Sequence, residues 1–129
     1  MQFRLNMADN KATRNDVERF LREFKEKAGF WGIVYVDSKP DNLSTLAALE
    51  ITGKQRDEYV LALEVEDYYQ GPDKNDFSGQ NDVWMFGKDI KGKEVYIKIY
   101  IGKTNLPNVC ISFHIAKNKI TYPLKENIL

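Results

Sequence analysis

The chain has 129 residues, 43% hydrophobic and 29% charged, with nineteen basic residues balanced by nineteen acidic ones. That length fits one domain whose core needs no disulfide or metal staple, and no apolar run approaches the roughly 20 residues of a membrane span. A single cysteine excludes an internal disulfide and fits a reducing cytoplasm, one Cys with one His excludes a Cys/His zinc centre, and zero net charge leaves any contact with RNA to a local basic surface.

The opening residues, MQFRLNMADNKATRN, lack the apolar centre of a signal peptide. They predict a flexible polar lead-in over 1–14, with one domain over 15–129. Thr13 and Asp16 form a capping box, Val17, Phe20, Leu21 and Phe24 follow at helical spacing, and Gly29 is expected to stop the helix. FWGIVYV, residues 30–36, is aromatic and β-branched and predicts a strand ending at DSKPDN, where Pro40 and Asn42 signal a turn. Leu43, Leu46, Ala47 and Leu49 indicate a short helix from Asn42, and Thr52 with Gln55 opens another through Leu63. EDYYQGPDKNDFSGQND shows no period and is expected to be a long loop. Three strands follow, VWMF over 83–86, EVYIKIYI over 94–101 and VCISFHIA over 109–116. Helices first and strands second predict an α+β fold, a twisted antiparallel sheet with helices packed on one face.

Alternation assigns faces. Val95, Ile97, Ile99 and Ile101 form one apolar row, with Tyr96, Lys98 and Tyr100 opposite. Val109, Ile111, Phe113 and Ile115 form a second apolar row, which leaves Cys110, Ser112 and His114 on the other side. A hairpin centred near Asn105 pairs Tyr96 with His114, and a two-residue turn at Lys91-Gly92 sends Trp84 and Phe86 to the core and Val83 and Met85 to the Tyr96 face.

Lys, Tyr and Ser are ordinary residents of a solvated sheet face. Convergence of Tyr96, Lys98, Ser112 and His114 also suits RNA cleavage by a ribose 2′-hydroxyl attacking the adjacent phosphate. That reaction needs a proton acceptor, a proton donor and a cation for charge developing on phosphorus. Histidine titrates near neutrality, lysine binds phosphate, and tyrosine donates a hydrogen bond or stacks on a base.

DYYQGP (67–72), WMFGKDIKGKEVYIKIYI (84–101) and CISFH (110–114), taken together and in that order, resemble the MqsR family. These are motility and quorum-sensing regulator toxins of type II toxin-antitoxin systems. The resemblance runs from the first helix to TYPLK near the C-terminus. It implies a RelE-like fold, metal-independent cleavage of messenger RNA without a cofactor, and inhibition by a cognate antitoxin, expected to be a helix-turn-helix protein. Residue by residue, Tyr96 and Lys98 match functional positions of the family. His114 stands where the best-known member has a catalytic lysine, Gln70 replaces a lysine after the aromatic pair, and Met85 replaces a glutamine after the strand tryptophan. The implied catalytic set is His114, Tyr96 and Lys98, with Tyr69, Gln70, Met85 and Ser112 near the substrate.

The competing expectation is a non-enzymatic module that holds RNA or a protein on the same surface, prompted by Gln70 and Met85, which replace catalytic-type residues and remove one positive charge and one polar contact. Tyr68 and Tyr69 serve equally as base-stacking rings or loop anchors. Asp67, Asp73, Asp76 and Asp82 lack the spacing of a calcium loop and are read as surface residues, and Cys110 as a packed thiol. Lys88, Lys91, Lys93 and Lys103 are read as solubilising charge.

Overall fold

A computed structural model describes residues 12–74 and 79–126. Most of the expected lead-in, up to residue 11, and Asp76 in the expected loop lie outside the described residues.

Helix α1 spans Arg14–Trp31 and starts as its capping box dictates. Asp16 N–H donates to Thr13 Oγ1 at 3.1 Å, and Thr13 N–H donates to Asp16 Oδ2 at 3.0 Å. It buries Val17, Phe20, Leu21 and Phe24. Gly29 does not stop it. The stop is Gly32, at φ 74, whose N–H reaches Ala28 O at 2.8 Å. Phe30 and Trp31 therefore belong to the helix and are exposed, and the strand expected over 30–36 shrinks to β1, Ile33–Tyr35.

Helix α2 spans Pro40–Leu49 and begins two residues before the expected Asn42. Pro40 occupies its first turn, where a missing N–H costs nothing and a fixed φ helps. Helix α3, Gly53–Leu61, opens on the Thr52/Gln55 capping box as expected. A 3-10 turn, Val65–Asp67, leads into β2, Tyr68–Asp73.

Strand β2 corrects the expectation of a loop from Glu66 onward. It pairs antiparallel with β3, Val83–Ile90, but only through Tyr68 with Phe86, Gln70 with Met85 and Asp73 with Val83, with register shifts between them. Those bulges erase the two-residue period that would have marked a strand. Gly71, at φ 114, fits the irregularity, because a Cβ there would lie 2.6 Å from Val83 O.

Strand β4, Lys93–Tyr100, follows β3 through a turn in which Lys91 and Gly92 both take positive φ and Ile90 pairs with Lys93. Strand β5 spans Asn108–Ile115. The sheet order is β1-β5-β4-β3-β2, antiparallel except that β1 runs parallel to β5. The helix-side core includes Phe20, Phe24, Trp84, Phe86, Ile97, Ile99 and Phe113, with Phe20 stacked on Trp84 at 4.5 Å.

Two features of β5 shape the opposite face. Lys98 pairs with Ser112, but Ile99 pairs with Cys110, so Ile111 is an inserted residue. Cys110 therefore turns into the helix-side core, while Val109 and Ile111 join Val83 and Met85 on the other side. Strict alternation would put all three residues on the reverse faces. Second, β1 covers only Asn108–Cys110, and beyond it α2 satisfies the strand edge. Asn42 Nδ2 donates to Ile111 O at 2.9 Å, Phe113 N–H donates to Asn42 Oδ1 at 3.1 Å, and Ile115 N–H reaches Thr45 Oγ1 at 3.3 Å.

Candidate functional site

Below the bulge, β4 and β5 keep the expected register, and Tyr96 lies directly across from His114. Their rings stack at 5.3 Å and 30°. Tyr69, from β2, meets Tyr96 edge-on at 6.4 Å and 74°. The chain after β5 folds back as a wall beside them. Ala116 N–H donates to Glu94 O, Ile120 N–H to Glu94 Oε1 at 3.1 Å, and Tyr122 Oη to Glu94 Oε2 at 2.7 Å. Gly87 gives this segment room, since a Cβ there would sit 2.7 Å from Ile120 Cδ1. The result is a cleft of about 230 Å³ bordered by Tyr69, Tyr96, His114 and residues 116–120.

His114 is half-buried, and its Nδ1 lies 3.0 Å from Ile115 O. A carbonyl only accepts, so Nδ1 carries the proton in this contact and Nε2 of the neutral ring is left as the acceptor. Burial, helped by Tyr69 and Asp73, pushes the Tyr96 hydroxyl up to about 12. Tyr96 is thus a hydrogen-bond donor at neutral pH. The pair combines one proton acceptor with one donor.

Two residues along each strand, on the same face, Lys98 pairs with Ser112. Ser112 Oγ also accepts from Lys39 Nζ at 3.0 Å. Lys39, in the turn before α2, was not singled out from sequence. A lysine beside a proline carries no signal until α2 is docked on β5.

Met85 is 2% exposed and packs with Val83 and Ile111, so it forms the floor of this face. Gln70 pairs with it from β2 and is half-exposed. The two tyrosines of DYYQGP divide the roles expected of them. Tyr68 is fully buried, donates to Gly71 O and accepts from Ala12 N–H, and so ties down the strand, while Tyr69 borders the cleft.

The other candidates disperse. Asp67 pairs with Lys88 and Asp82 with Lys74. No group of three or more metal-ligating side chains occurs among the described residues. Lys91 donates to Glu50 O, and Lys103 to Gln80 Oε1. Cys110 is fully buried, and burial pushes its thiol up to about 12. A larger cleft, of about 700 Å³, lies on the helix side between Arg19, Phe20, Trp84 and Lys74 and contains none of the residues expected to be catalytic or to contact substrate. Its charges are of both signs, with Lys74 paired to Asp82 at 2.7 Å and Arg19 to Asp16 at 3.9 Å. No described helix is long and apolar enough to cross a membrane.

Comparison with protein-family models, with curated proteins and with solved structures gave no match.

Proposed function

We propose that the chain is a metal-independent endoribonuclease with a RelE-like fold, acting on messenger RNA in the cytoplasm as the toxin of a type II toxin-antitoxin pair. The observation that carries this reading is the stacked Tyr96–His114 pair at a cleft, two residues along each strand from Lys98 and Ser112. His114 Nε2 takes the proton of a ribose 2′-hydroxyl, whose oxygen attacks the adjacent phosphorus. The bond to the 5′ oxygen breaks, that leaving oxygen takes a proton from water, and the imidazolium returns its own proton to solvent. A 2′,3′-cyclic phosphate and a 5′-hydroxyl result. Tyr96 donates a hydrogen bond to a non-bridging oxygen as charge develops, Lys98 supplies positive charge, and Tyr69 offers a half-exposed ring for base stacking. Gln70 and Ser112 contribute polar contacts, and Met85 supports them from below. The partner is a cognate antitoxin of the helix-turn-helix type.

A second reading, a binding module without catalysis, draws on the burial of Met85, which leaves no polar group at that point of the face. One experiment separates the two. Purified protein is incubated with RNA in EDTA at about pH 6 to 8, where histidine titrates. Products ending in cyclic phosphate, reduced about 10²- to 10⁴-fold by His114→Ala, are expected. Bound but intact RNA would leave the binding module.

A further inference from the structure

Ser112 lies between two lysines. Lys98 stands across from it on β4, and Lys39 reaches its hydroxyl from the other side. A lysine has a flexible stem and a strongly hydrated ammonium, so docking on a neutral serine that is 2% exposed is not where it settles by default.

Asn42 explains how Lys39 is held. Its amide bonds to Ile111 O and Phe113 N–H, the backbone groups on either side of Ser112, and also donates to Val36 O at 2.8 Å. Asn42 is 1% exposed, so this clamp is fixed. Pro40 restricts the one turn that separates the clamp from Lys39. The backbone at Lys39 is therefore placed by α2, and its ammonium is held by the 3.0 Å bond to Ser112 rather than by a charge partner.

The nearby carboxylates are engaged elsewhere. Arg56 grips Asp37 through two nitrogens, at 2.9 and 3.1 Å, and Asp41 pairs with Lys117 at 3.1 Å. Lys117 dominates in holding the Asp41 carboxyl below its ordinary range, with His114 and Lys39 adding to it, so both of those groups lie within electrostatic reach of one side chain. Among the described residues Lys39 forms no salt bridge. A fixed cation on a buried hydroxyl, with no anion of its own, is a place for a ligand oxyanion.

We propose that Lys39, oriented by the buried Ser112 hydroxyl, binds a phosphate of the RNA backbone next to the one that sits at Tyr96 and His114. The proposal rests on the endoribonuclease reading and adds a second phosphate subsite to it. Ser112 and His114 are two residues apart on β5, about 7 Å at the rise of a strand. Neighbouring phosphates of an extended single strand are separated by a similar distance. Lys39 thereby fixes the register of the RNA, so that one phosphodiester falls at the acid–base pair.

The test uses the full chain and a short single-stranded RNA carrying 2′-O-methyl groups, which cannot be cleaved by 2′-oxygen attack. Binding is followed by fluorescence anisotropy from about 50 to 200 mM salt. Lys39→Gln keeps a donor for Ser112 and removes the charge, so the slope of log affinity against log salt should fall by about 0.7, the release expected for one phosphate contact on a single strand. Lys39→Arg should keep the slope. An unchanged slope in Lys39→Gln would overturn the Lys39 subsite while leaving the nuclease reading in place. No RNA binding by the wild-type chain would overturn both. A reduced slope in Lys39→Gln, combined with no cleavage of unmodified RNA, would support the subsite and remove only the catalytic reading.

Discussion

Tyr96 has its ring committed on two sides, stacked on His114 and met edge-on by Tyr69, while its hydroxyl has no hydrogen-bond partner among the described residues. A phenol held this rigidly with a spare donor is suited to an oxygen that gains charge during a reaction. Tyr96→Phe keeps the stacking and removes the donor, so it tests the hydroxyl without disturbing His114. The expected result is a loss of about 10- to 100-fold in kcat/KM, the worth of one hydrogen bond to a charged group, with an unchanged unfolding midpoint. A loss of stability equal to the loss of activity would assign Tyr96 to packing instead. That Tyr96 faces His114 was legible in the sequence, because both lie on the regular part of a hairpin. Lys39 was not, because its position depends on how α2 meets β5.

At the scale of elements, legibility follows regularity. Capping boxes at Thr13 and Thr52 marked two helix starts because the motif is local: a side chain and a backbone group three residues apart satisfy each other. β2 was hidden by its bulges, and the faces of Val109, Cys110 and Ile111 were misassigned because one inserted residue inverts alternation beyond it. No local signal marks that insertion. It appears only in the pairing with β4. The docking of α2 is likewise a matter of long-range contacts, and Asn42 carries much of it through three hydrogen bonds to Val36, Ile111 and Phe113. Asn42→Ala strips partners from buried backbone groups and should cost about 3 kcal/mol in denaturant unfolding, at roughly 1 kcal/mol per bond. It should also weaken RNA binding at a denaturant-free temperature well below the midpoint, because Lys39 loses its placement. Full RNA affinity in a destabilised Asn42→Ala would show that α2 does not position the cation.

For the whole molecule, stability and the site share one physical cause, the desolvation of acids that must stay neutral. Burial raises the Cys110 thiol from 9.0 to about 12 and the Tyr96 hydroxyl from 10.0 to about 12. Burial also lifts Tyr35 and Tyr122 above the ordinary phenol range, with hydrogen bonds to Asp57 and Glu94 reinforcing the shift. Each raised value means that the folded chain holds a proton that the unfolded chain releases earlier. Below about pH 9 both states keep these protons, and the contribution to stability is complete. From there the unfolded chain gives up the Cys110 proton first and the tyrosine protons next, so stability falls as pH rises toward about 12. Urea unfolding measured at steps across this range should show a decline that begins near the ordinary thiol value. In Cys110→Ala the baseline drops because the core loses a side chain, but the decline should begin about one pH unit higher, where tyrosines start to ionise. The pH at which the slope sets in, rather than the absolute stability, carries the test. An onset identical to wild type would mean that the thiol is not desolvated as its place between the sheet and the helices requires.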